Sequence, residues 1–168
     1  MEIIDIIDKK NQVLYQCSKE EAHQKGLLHA CIIAEVIDSK GNWTLVKQAN
    51  NRQDAGQYVS PVGGHIRAGE NVTDALARET LEEIGLTNFS SKFIGKAILN
   101  REVIGRKENH LFILYEIYSD QIPTLNHESV SFEKFTPAQI KQEILSNPTK
   151  FGQAFHFVLE NFYEQLID

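Results

Sequence analysis

Between Gly63 and Leu86 the chain reads GGHIRAGENVTDALARETLEEIGL, and the acids of this segment are its chemically promising residues. Glu79, Glu82 and Glu83 are spaced three and four apart. In a helix advancing about 100° per residue they share one arc of roughly 100°. Three like charges so placed repel, and Arg78 is the one base within the helix to offset them. A divalent cation is the natural compensator. Carboxylate oxygens are hard ligands that suit Mg²⁺, with Mn²⁺ as a substitute, and Mg²⁺ takes few protein carboxylates beside water and substrate phosphate. Glu70, on the preceding loop, can fold back to the same face, where the planar fork of Arg78 can bridge carboxylates. A solvated helix face has much the same composition, so spacing alone does not select the metal.

The elements that must position these acids follow from local chemistry. Gly63 and Gly64 open a glycine-rich loop, Asn71 is a natural N-cap with Asp74 in the first turn, and Gly85 is a natural stop. A helix of about three and a half turns results, its apolar side supplied by Val72, Ala75, Leu76, Leu81 and Ile84. Upstream, Ile3 to Ile7 and Gln12 to Gln16 flank a polar turn and predict a hairpin. Ser18-Lys19-Glu20-Glu21 has the form of a capping box for a short helix that Gly26 ends. His29 to Ile37 reads as a buried strand and Trp43 to Lys47 as the next, with Ala49 to Gln57 a loop. Phe93 to Leu99, Leu111 to Tyr118 and Val130 to Phe135 read as strands, and Pro137 opens a helix reaching Leu145. Phe151, Ala154, Phe155, Val158, Leu159, Phe162 and Leu166 recur at helical spacing, which predicts a C-terminal helix laid on the sheet. Strands mixed with helices in this way predict an α/β layered domain.

The whole chain has 168 residues and a net charge of −6. This length, with no repeat or linker, predicts a single domain over residues 1–168. The acidic balance argues against duplex nucleic acid as a partner. Leu27 to Ile37, the most apolar stretch, is too short and too polar to span a bilayer, so no membrane is expected. The opening Met1-Glu2-Ile3-Ile4-Asp5 lacks the pattern of a secretion signal, and Cys17 and Cys31 read as reduced thiols, so cytoplasm is the expected compartment. Half of the net charge lies between Gly64 and Leu86, where five acids face two arginines. Outside this segment, Arg101, Arg106 and Lys107 read as a polar loop able to meet substrate phosphates. His65, after the two glycines, could touch substrate, whereas His110 and His127 read as structural or exposed.

The segment resembles the Nudix box, G-x5-E-x7-R-E-U-x-E-E-x-G-U with U aliphatic. Gly64, Glu70, Arg78, Glu79, Glu82, Glu83, Gly85 and Leu86 fall on its defined positions, and Thr80 departs from an aliphatic one. The resemblance implies a Nudix fold, an α/β/α sandwich with a mixed β-sheet and flanking helices. It implies a hydrolase of a nucleoside diphosphate linked to another moiety, or of a related small-molecule diphosphate. Glu79, Glu82 and Glu83 would be metal ligands with a carbonyl of Gly63 or Gly64. Glu70 and Arg78 would orient them, and Glu79 or Glu128 would be the base. A homodimer stays open. The N-terminal half, from Glu2 to His29, and Val62-Gly63-Gly64-His65 resemble the branch that includes isopentenyl-diphosphate isomerases. That enzyme's catalytic cysteine falls on Gly63, so the hydrolase reading leads. Isomerase activity, or a Nudix-fold sensor that binds without cleaving, are the alternatives.

Overall fold

The computed structural model describes all residues from Met1 to Asp168. Nine strands form one mixed sheet: β1 (Ile3–Ile7), β2 (Val13–Ser18), β3 (His29–Ile37), β4 (Trp43–Gln48), β5 (Tyr58–Val59), β6 (Val62–His65), β7 (Ser90–Val103), β8 (Arg106–Tyr118) and β9 (Ser129–Phe135). Four helices flank it: α1 (Lys19–Lys25), α2 (Val72–Ile84), α3 (Pro137–Ser146) and α4 (Gln153–Phe162). The expected α/β/α sandwich is the observed fold.

Strand β3 is the hub. It pairs with β8 in parallel along its length, from His29 opposite His110 to Ile37 opposite Tyr118, and with β6, β4 and β1 antiparallel. Its side chains alternate between two buried layers, because successive Cβ atoms of a strand point to opposite faces. Cys31 and Ile33 join the core under α3 and α4, while Ile32, Ala34 and Val36 join the core under α2. Glu35, also on β3, is fully buried. The C-terminal stripe packs as predicted, with Phe155, Val158 and Leu159 fully buried.

Local signals account for the helix ends. The Asn71 side chain accepts from the Asp74 N–H at 2.8 Å, and Gly85 ends α2 in the left-handed region at φ 69°. Ser18 caps α1 through the Glu21 N–H, but the box is half formed, since the Glu21 carboxylate binds Lys25 instead. Two expectations are corrected. Leu81 is half exposed rather than part of the apolar side of α2. Arg101 lies inside β7 rather than in a loop, because β7 and β8 run on to a two-residue turn at Ile104-Gly105. None of the helices is long and apolar enough to cross a membrane.

Candidate functional site

The glycine loop and α2 bring the box acids to one mouth. Arg78 is the brace: its Nε and Nη2 donate to the two oxygens of Glu70 at 2.9 Å each, Nη2 also donates to the His65 carbonyl at 3.0 Å, and Nη1 donates to Glu79 Oε1 at 2.6 Å. The bidentate fork holds the Glu70 carboxyl below its ordinary range and raises Arg78 further. Glu79 lies against Gly64: a Cβ built on Gly64 would stand 2.5 Å from Glu79 Oε2. Glycine is therefore required here by the approach of a carboxylate. Glu83 Oε2 accepts from the Gly63 N–H at 2.7 Å. Glu82 is half exposed, 3.6 Å from Arg78. Burial raises Glu79, and raises Glu83 strongly, with Glu128 beside Glu83 adding to its shift. In both cases the first cause is removal of the carboxylate from water, which disfavours its charged form. Thr80 is buried in the helix's core face, away from these acids.

Glu128 comes from the loop before β9 and pairs with Arg52 at 3.1 Å. It shares with Glu79 and Glu83 a cavity of about 300 Å³, to which Lys19, Arg52 and Arg67 also contribute. Arg101 also lines this cavity. Its side chain is 7 % exposed, and its guanidinium is engaged by Asp54 at 3.0 Å and Glu108 at 2.9 Å, which makes it a strut of the cavity wall.

His65 lines the cavity, as does the buried His110. Their rings meet those of His23 and His29, with one donor nitrogen from each of the four within 4.8 Å of the others. His23 Nε2 is 3.2 Å from His65 Nε2 and 3.3 Å from His110 Nε2. His29 Nδ1 donates to the Leu27 carbonyl at 2.8 Å, which leaves its buried Nε2 without a partner. Burial, above all, holds the ring of His23 near pKa 3 and that of His110 near 2, and depresses His29 and His65. All four imidazoles are thus neutral at pH 7, and His23 Nε2 already accepts from Arg106 Nη2 at 3.1 Å. Glu108 adjoins them, but its oxygens already accept from Arg101, Gln53 and Arg106. His127 is exposed, as expected.

Two sets of donors therefore lie at one cavity, the second reaching it through His65 and His110. The carboxylates of Glu79, Glu82 and Glu83 fit a hard divalent ion. The four imidazoles fit a borderline ion such as Zn²⁺, Co²⁺ or Ni²⁺. The hydrogen bond from His29 to a backbone carbonyl is the outer-sphere contact that metal-binding histidines usually make. Sequence reading missed this second set, because its members are scattered over positions 23, 29, 65 and 110.

Comparison with known proteins agrees with the box. An isopentenyl-diphosphate Delta-isomerase 2 of Photorhabdus laumondii is 32% identical over 150 residues, covering 87% of this chain and 83% of that protein. An uncharacterized Nudix hydrolase of Streptomyces coelicolor is 34% identical over 90 residues, half of this chain and 47% of that one. A Deinococcus radiodurans crystal structure superimposes with a TM-score of 0.78 at 18% identity, covering 96% of this chain and 99% of that one, which speaks for the fold. The NUDIX domain family matches residues 26–155, more than three quarters of the chain. With the box acids braced as the fold requires, the chain belongs to the NUDIX domain family.

Proposed function

We propose that this protein hydrolyses a small-molecule diphosphate. The observation that carries the reading is the convergence of Glu79, Glu83 and Glu128 with cationic side chains, Lys19, Arg52 and Arg67 among them, on one cavity. Glu79, Glu82 and Glu83, with a carbonyl of Gly63, would hold a Mg²⁺ or Mn²⁺, which would supply Lewis-acid polarisation of the phosphate and a more acidic water. Arg78 keeps Glu79 and Glu70 in place. Lys19, Arg52 and Arg67 neutralise the diphosphate at the cavity wall, which offsets the acidic mouth. Glu128 is the base: it adjoins Glu83, comes from a separate loop, and has its other face held by Arg52. Glu79, engaged by Arg78 and pressed on Gly64, serves as a ligand instead.

The four imidazoles form a second, nitrogen-donor centre beside the first. Four neutral nitrogens suit a borderline ion, which would hold the ends of α1, β3, β6 and β8 together at the cavity.

Metal-dependent phosphate release over nucleoside triphosphates, sugar nucleotides, coenzymes and isoprenoid diphosphates tests the reading. Glu83→Gln should abolish turnover. Glu128→Gln should lower kcat by about 10²–10⁴, the usual worth of a positioned base, with Mn²⁺ affinity retained. Full activity in both variants would refute the assignment.

The P. laumondii relative favours an isomerase as a second reading. Gly63 offers no thiol, and Cys31, which lies opposite His65 on β3, is buried with its thiol raised well above the usual range. Conversion of isopentenyl diphosphate to its allylic isomer would establish this reading over hydrolysis.

A further inference from the structure

Arg106 opens β8 directly after the Ile104-Gly105 turn. Its Nη2 lies 3.1 Å from His23 Nε2 and 3.2 Å from Glu108 Oε2, while its Nε is buried without a hydrogen-bond partner. A guanidinium carries only donors and keeps its charge at any working pH. The His23 nitrogen that faces it must therefore be the acceptor, and an imidazole nitrogen has one lone pair in the ring plane. That nitrogen is also the centre of the cluster, within 3.3 Å of the corresponding atoms of His65 and His110. Arg106 thus occupies the lone pair that His23 would give to a metal.

The two states exclude each other. Coordination at His23 removes the acceptor and brings a second positive charge to the guanidinium, so Nη2 must leave. Its other partner, Glu108, also accepts from Arg101 and Gln53, so it keeps two donors when Nη2 leaves. Arg106 lines the cavity that holds Glu79, Glu83 and Arg52. The planar fork it would offer there matches phosphate oxygens.

We propose that Arg106 is a metal-gated phosphate clamp: the guanidinium and a metal compete for the His23 lone pair, and Arg106 turns to the substrate diphosphate when the metal takes it. This rests on the imidazole centre of the proposed function. The gate would make diphosphate binding depend on a metal that the cleavage site itself does not hold.

The test uses the full chain in excess Mg²⁺, with Co²⁺ as a coloured probe of the imidazoles and methylenediphosphonate as an uncleavable diphosphate. In the wild type, Co²⁺ should give the intense visible bands of nitrogen coordination, and His29→Asn should lose them. Arg106→Gln should bind Co²⁺ about tenfold or more tightly, because a competing charged hydrogen bond is gone. The same variant should bind methylenediphosphonate about tenfold more weakly than wild type when Co²⁺ is loaded, but equally when the comparison is made in a His29→Asn background. Arg106→Lys, which keeps the charge without the fork, serves the same comparison if Arg106→Gln does not fold. Unchanged Co²⁺ affinity, or an equal loss of diphosphate binding with and without Co²⁺, would overturn the gate and leave the imidazole centre standing. Absence of any Co²⁺ band in the wild type would overturn both.

Discussion

Gly64→Ala separates the metal site from the fold. A Cβ at position 64 would stand 2.5 Å from Glu79 Oε2 and nearer still to its Cδ. What it meets is the end of a flexible side chain, so the carboxylate swings away while the backbone keeps its place. That swing breaks the 2.6 Å hydrogen bond from Arg78 Nη1 to Glu79. A charged hydrogen bond of this kind contributes about 1.5–3 kcal/mol. At about 2–4 °C per kcal/mol for a chain of this size, the melting temperature falls by about 3–12 °C. Arg78 keeps both bonds to Glu70 and the one to the His65 carbonyl. Metal affinity changes far more. Removing a group that merely orients a metal ligand already costs about 10–100-fold, so displacing the ligand itself costs at least that. Electron paramagnetic resonance of free Mn²⁺ during titration gives the affinity, and differential scanning fluorimetry gives the melting temperature. Wild-type Mn²⁺ affinity in a folded Gly64→Ala protein would refute the placement of Glu79 as a ligand. A fall of about 20 °C or more would refute the idea that the carboxylate alone gives way.

Three further outcomes are expected. Glu35 is fully buried beside Glu116, the partner through which Tyr163 is hydrogen-bonded, and burial pushes its pKa from 4.5 to about 8. A raised folded pKa gives stability that is complete below the unfolded value and is lost as pH rises through the folded one. Wild type should therefore lose about 4 kcal/mol relative to Glu35→Gln between pH 5 and pH 8, seen as diverging urea midpoints, and parallel curves would count against it. Ile104 sits at φ 45° in a two-residue hairpin turn that favours asparagine followed by glycine. Ile104→Asn should raise stability by about 1 kcal/mol in thermal melts, and a lowered melting temperature would contradict that. Thr80 is fully buried with its hydroxyl unpaired, so Thr80→Val should be neutral or stabilising by about 1–2 kcal/mol in urea unfolding, with Mn²⁺ affinity unchanged.

The parts legible in the sequence are those fixed by neighbours along the chain. Asn71 and Gly85 mark α2 because caps act within one turn, and Phe155, Val158 and Leu159 mark α4 because its buried face repeats every turn. The reach of β7 and β8 past Leu99 is not legible. Asn100, Arg101, Glu108 and Asn109 are polar, and their strand state comes from cross-strand pairing beside a polar cavity rather than from an apolar run. Arg101 consequently reads as a loop cation when it is a buried strut. Glu128 is legible as an acid in a loop but not as the neighbour of Glu83, which needs the turn before β9 to be docked on Ala49. The imidazoles leave no local trace: His29 reaches His110 only through the parallel register of β3 and β8, and His65 reaches them through the pairing of β6 with β3.

That parallel register also dictates when the imidazole centre can exist during folding. His29 and His110 are partners across 81 positions of chain. Closing such a loop costs about 2 kcal/mol more entropy than closing one of ten residues. Pairings of this range form late, and an unfolded chain holds the four rings no closer than chance. Metal cannot then template the fold; it can only bind a sheet already assembled. Bound Co²⁺ or Zn²⁺ should accordingly slow unfolding while leaving the refolding rate unchanged.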